Sequence, residues 1–122
     1  MPASPKTSEE MKVWSTLLAT ELREWPGVTT KPFFGFTAVY RKAKIFAALP
    51  RTRGVGKPSG LGFKLPSASA RLLTQLRDDP RVQETGMQKA RWFFFEMESE
   101  QDLRTALDWL GEAYAAAGKK AK

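Results

Sequence analysis

A chain of 122 residues with a net charge of +7 and neither cysteine nor histidine has room for one hydrophobic core. The two missing residue types exclude disulfides, thiolate nucleophiles, imidazole bases and zinc sites built on nitrogen or sulfur ligands. The charge is not spread evenly: Trp25 to Arg77 holds ten cations and no carboxylate, whereas the residues before it sum to −1 and those after it to −2.

In chain order, residues 1–6 read as a flexible lead-in. Thr7 and Glu10 have the spacing of a capping box, so a first helix is expected from about Ser8. Met11, Trp14, Leu18, Leu22 and Trp25 form its apolar stripe, and Trp25-Pro26-Gly27 ends it. The aromatic and β-branched run Phe33 to Tyr40 reads as one strand buried on much of both faces. Arg41 to Lys44 then makes a short polar connection to Ile45–Leu49, which predicts an antiparallel hairpin with a basic tip. Pro50 to Gly60 reads as a surface loop around Arg51, Arg53 and Lys57, and Leu61 to Leu65 alternates as a third strand. Ser67 is placed to cap a short helix carrying Ala70, Leu73 and Leu76, stopped by Asp78-Asp79-Pro80. Val82 to Ala90 fits no single element, with Gly86 marking a turn. Trp92 to Met97 reads as an inner strand. Ser99 with Asp102 then opens a last helix, with Leu103, Ala106, Leu107, Leu110, Tyr114 and Ala117 on its apolar stripe.

The expected architecture is a single α+β domain over residues 7–117, a two-layer sandwich with helices packed on one antiparallel sheet, followed by a basic tail at 118–122. Its expected core is Trp14, Leu18, Phe46, Phe63, Trp92, Phe94, Leu107 and Leu110. Met1 to Glu10 has no apolar stretch and carries two glutamates, so it does not read as a signal peptide, and no apolar run approaches the length of a membrane span. A cytoplasmic chain with no membrane partner is the expectation; oligomeric state is left open.

Several landmarks, in order, resemble the MmcQ/YjbR family, whose relatives include the N-terminal domain of TfoX-type competence regulators. They are Pro26-Gly27-Val28, Pro32 with Gly35, Phe46-Ala47, Phe63-Lys64, Gly86-Met87-Gln88-Lys89 followed by Trp92, and Leu110 with Tyr114. The resemblance implies a CyaY-like two-layer α/β sandwich, DNA binding as suggested for some members, and no established catalytic residues. Many relatives carry a His just before the Trp, where this chain has Arg91.

The acid-free middle points to a polyanion, and nucleic acid, DNA first among the candidates, is the expected partner. The residues expected to meet phosphates are Lys31, Arg41, Lys42, Lys44, Arg51, Arg53, Lys57 and Lys64, with the hairpin tip and the glycine-rich loop as two basic projections straddling the backbone. Phe33, Phe34 and Tyr40 have the composition of a base-stacking platform, but in so aromatic a strand they are read as core. Gly54 to Gly60 lacks phosphate-loop spacing and precedes a strand. Glu96 and Glu98 read as a solvated edge and not as an acid/base pair. No cofactor and no catalytic constellation is recognised, so the chain is read as a non-enzyme. The alternatives are a binding module or enzyme for a phosphorylated or acidic small molecule held by Arg51, Arg53 or Lys57, and a partner contact on the Ala-rich last helix.

Overall fold

The computed structural model describes residues 7–54, 59–65, 69–84 and 92–118; Lys57, Ser67, Gly86, Arg91 and both chain ends lie outside them. In chain order the elements are α1 (Glu9–Arg23), β1 (Val28–Phe33), β2 (Phe36–Arg41), β3 (Lys44–Pro50), β4 (Gly60–Lys64), α2 (Ala70–Asp78), β5 (Val82–Glu84), β6 (Trp92–Glu96) and α3 (Asp102–Ala117). The strands form one antiparallel sheet of order β1-β2-β3-β4-β6-β5, and the helices pack on one of its faces. This is the expected α+β arrangement with two further strands, β1 and β5. None of the described helices is long and apolar enough to cross a membrane.

Ser8 caps α1: its hydroxyl accepts the Met11 N–H at 3.1 Å, and Glu9 and Glu10 meet the positive end of the helix dipole. Thr7, the expected cap, is buried instead, and its N–H donates to the Thr52 carbonyl at 3.1 Å, tying the start of α1 to the end of β3. Met11, Trp14, Leu18 and Leu22 form the buried stripe. The cap of α2 is Ser69, which accepts from Leu72 N–H at 3.1 Å, and not Ser67.

The core follows from strand register. Val39 pairs with Ala47, Ala47 with Phe63, and Phe63 with Phe93, so one row crosses four strands, every member of it buried. Between Val39 and Tyr40 the β2–β3 register shifts, leaving Phe46 as an extra residue of β3; it is fully buried, its ring 5.7 Å from that of Tyr114 on α3. Trp14, Leu18, Phe46, Phe63 and Leu110 are core residues as expected, and Leu107 lies at the margin.

Two expectations fail here. Phe33 to Tyr40 is not one strand: the chain reverses at Phe34-Gly35, with φ of 47° and 88°, so β1 and β2 form a tight hairpin. Trp92 and Phe94 are half-buried on the face away from the helices, and Phe93, Phe95 and Met97 supply the core instead. Four consecutive aromatics carry no alternation, and only pairing with β4 decides which set turns inward.

Arg81, between α2 and β5, binds the helix layer together. Its guanidinium donates to Asp79 through Nε at 3.0 Å and Nη2 at 3.2 Å, and to Asp102 through Nη1 at 2.7 Å, while lying 5.2 Å from the Phe95 ring centroid. Asp79 also accepts from the Trp109 indole at 3.3 Å, and Asp102 from the N–H groups of Glu98 and Ser99 at 2.8 and 3.2 Å. Ser99, the expected cap, is not the cap of α3: the helix begins at Asp102, with Gln101 at the cap position making no side-chain cap bond, and Asp102 reaches back to Ser99 N–H instead. Burial alone would raise both carboxyls, but hydrogen bonds from Arg81 to Asp79, and from Glu98 N–H and Arg81 to Asp102, outweigh it and hold both below their ordinary value.

Because both carboxyls titrate lower in the folded than in the unfolded chain, they add stability above the ordinary carboxylate range and lose it as pH falls below about 4. Arg81→Met, which leaves two carboxylates facing each other unpaired, is expected to cost about 3 kcal/mol in urea denaturation at pH 7. That deficit should shrink in acid as the carboxyls protonate; a deficit independent of pH would show that the ion pairs contribute little.

Candidate functional site

The expected cations fall into separate groups once the chain is folded. At one end of the sheet the β2–β3 turn carries Lys42, with φ of 56°, and its N–H donates to the Gly27 carbonyl at 2.8 Å. Lys42 and Lys44 are exposed there, and Lys64, one step beyond the Ala47–Phe63 pair, lies toward the same end. Arg51 and Arg53 are exposed at the opposite end, where Phe36 pairs with Pro50. Lys31 sits between the ends on the face away from the helices, its ammonium 5.6 Å from the Tyr40 ring centroid. The two projections expected to straddle one backbone therefore stand a strand's length apart, roughly 17 Å along β2. Lys57 lies outside the described residues.

Arg41 is turned into the fold. Its Nη1 donates to the Tyr114 carbonyl at 3.0 Å, and its guanidinium carbon lies 4.0 Å from the Tyr114 ring centroid. The last turn of α3 has no basic residue of its own, so Arg41 supplies the positive charge that the negative end of the helix dipole favours. Tyr114 is the joint: its hydroxyl donates to the Pro26 carbonyl at 2.7 Å, and Trp25 meets its ring edge-on at 5.1 Å. Arg41 thus holds structure and leaves the list of residues that face a ligand.

Folding also sorts the charges by layer. β1 to β4 carry Lys31, Arg41, Lys44 and Lys64 and no carboxylate, and the connections at Lys42 and at Arg51–Arg53 add cations only. The acids gather on α1 (Glu9, Glu10, Glu21), on α3 (Asp102, Asp108, Glu112) and around the β5–β6 edge. On the face away from the helices the central row is small, Ala38, Ala48 and Gly62, flanked by half-buried Tyr40, Phe94 and Trp92.

At the β1–β2 tip Phe33 and Phe34 are 51% and 83% exposed, although sequence reasoning placed them in the core. Their rings meet edge-on with centroids 4.7 Å apart. The signal for this turn was Gly35 itself, since a glycine inside an apolar run marks a bend as readily as a strand. Its carbonyl accepts the N–H groups of Arg51, Thr52 and Arg53 at 3.1, 2.9 and 3.2 Å, which seats the two arginines beside the phenylalanine pair.

Among the described residues no three His, Cys, Asp or Glu side chains group as metal ligands would. An open hollow of about 190 Å³ between α2 and the β5–β6 edge is lined by Leu76, Arg77, Val82 and Phe93, far from Arg51 and Arg53 in the strand order. Comparison with protein-family models, with curated proteins and with solved structures finds no match to this chain.

The two ends of the sheet call for different outcomes on substitution. Arg41→Ala removes a charge-assisted hydrogen bond and a ring contact and is expected to cost about 2 kcal/mol in urea denaturation. Phe34→Asn should do the reverse. Left-handed backbone costs a residue with a Cβ about 1–2 kcal/mol, more than the roughly 0.5 kcal/mol an exposed ring pair returns, and Asn-Gly suits this turn. A melting temperature raised by about 4 °C is expected, and a lowered one would show that the ring pair stabilises the tip.

Proposed function

We propose that the protein binds nucleic acid, DNA first among the candidates, with little base specificity, through the four strands β1 to β4, which carry no carboxylate. Phosphates are held by Lys31, Lys42, Lys44, Arg51, Arg53 and Lys64; Lys57, four residues after Arg53 in sequence, lies outside the described residues. The observation that supports this reading most is the grouping of charge: four adjacent strands and the turns at Lys42 and at Arg51–Arg53 carry cations and no carboxylate, while the acids lie on the helices and around the β5–β6 edge. The basic ends, roughly 17 Å apart along β2, match about five nucleotides of one duplex strand, at 3.4 Å each. With acids on both long helices, contact rests on backbone charge and not on a helix in the major groove. The resemblance to MmcQ/YjbR proteins, some with suggested DNA binding, belongs to the same proposal. The reading makes the chain a binding domain and assigns it no catalytic step.

A salt-titrated fluorescence-anisotropy series tests it. Six phosphate contacts predict that log affinity for duplex DNA falls with log salt at a slope of about −5, and replacing Arg51 and Arg53 together by Ala should flatten that slope by about 2. The double variant should weaken binding to all sequences alike. No binding at low salt, or a slope indifferent to the arginines, overturns the reading.

A further inference from the structure

The β1–β2 tip spends stability on an exposed aromatic. Phe34 adopts φ of 47°, the left-handed region that suits glycine or asparagine, and receives no burial in return, being 83% exposed. Strain of this kind, uncompensated by packing, collects at functional sites. Phe33 beside it is half exposed and buttresses the ring edge-on. The tip is also fixed in place. Three N–H groups from residues 51–53 converge on the Gly35 carbonyl, and a Cβ at Gly35 would stand 3.0 Å from Thr52 Oγ1 and 3.2 Å from Arg53 Cγ, so the tip and the arginine segment lie in close contact.

We infer that this tip is a base-stacking platform: Phe34, supported by Phe33, takes the face of an unpaired base, while Arg51 and Arg53 hold the flanking phosphates. The inference rests on the nucleic-acid reading above and narrows it to single-stranded segments, because stacked bases inside a duplex offer no free face. An exposed ring beside two arginines matches the chemistry of sequence-tolerant single-strand binding, in which every base presents a π-face and every nucleotide a charge. Lipid is the other surface an exposed phenylalanine pair can enter. The backbone hydrogen bonds that tie residues 51–53 to Gly35 at the tip favour the nucleotide, whose base and phosphate sit at a fixed short spacing.

The test compares wild type, Phe34→Asn and the Arg51→Ala/Arg53→Ala double variant, each titrated at low salt with an oligothymidylate and with a duplex of equal length. Phe34→Asn is expected to weaken single-strand affinity about tenfold and leave duplex affinity unchanged. Because this substitution should also raise the melting temperature, the loss cannot be ascribed to unfolding. The double variant should weaken both ligands. If Phe34→Asn leaves single-strand affinity intact, or weakens both ligands alike, stacking is overturned while nucleic-acid binding stands; if the arginine variant changes neither affinity, the underlying reading fails as well. A Phe34→Trp variant supplies an independent signal. Quenching by the oligothymidylate supports stacking, and a blue shift on phosphatidylserine vesicles with no response to the oligonucleotide overturns it in favour of a lipid surface.

Discussion

One row of buried side chains, Val39, Ala47, Phe63 and Phe93, crosses four strands, and the orientation of nearly every other residue in the sheet follows from it. A slip of one residue in any of these pairings would turn a complete set of side chains to the other face. Held as it is, the row sends Phe93, Phe95 and Met97 toward the helices. Tyr40, Lys31 and Phe94 go the opposite way. The bulge at Phe46 modifies this rule at one point, letting two successive residues of β3 serve the core.

The same constraint sorts the electrostatics. Helices must cover one face of the sheet, and α1 and α3 each carry three acids, so much of the negative charge lies behind β1 to β4, with the rest around the β5–β6 edge. What remains at the two sheet ends differs in kind. The Lys42–Lys44 end presents exposed lysines, with half-buried Tyr40 and Trp92 toward it. The Arg51–Arg53 end combines planar guanidinium groups with exposed rings, and planar donors beside aromatic faces suit a ligand that is itself flat and charged in alternation.

Helix positions, the β2–β3 hairpin and the α+β class were legible in the sequence because 3.6-residue periodicity in α1 and the capping spacing at Ser99–Asp102 are local signals. The inward set of β6 was not, since Trp92-Phe93-Phe94-Phe95 has no polar alternate to mark the outer face, and partner strands decide it. β1 was missed because Thr29-Thr30-Lys31-Pro32 reads as polar and breaker-rich, properties that suit an edge strand. The candidate site was legible in composition and not in space. The acid-free stretch named the cations, but nothing local showed that Arg41 folds inward to α3, that Lys42 and Arg51 stand at opposite ends, or that Phe34 points outward.

α3 is gripped at both termini by arginines from distant parts of the chain: Arg81 holds Asp102 at its start, and Arg41 holds the Tyr114 carbonyl near its end. The second contact spans 73 residues of sequence. A helix held near its two ends frays less readily, and neither contact can form until the second strand and the α2–β5 connection have reached their places. The two contacts thereby couple the last helix to long-range chain closure.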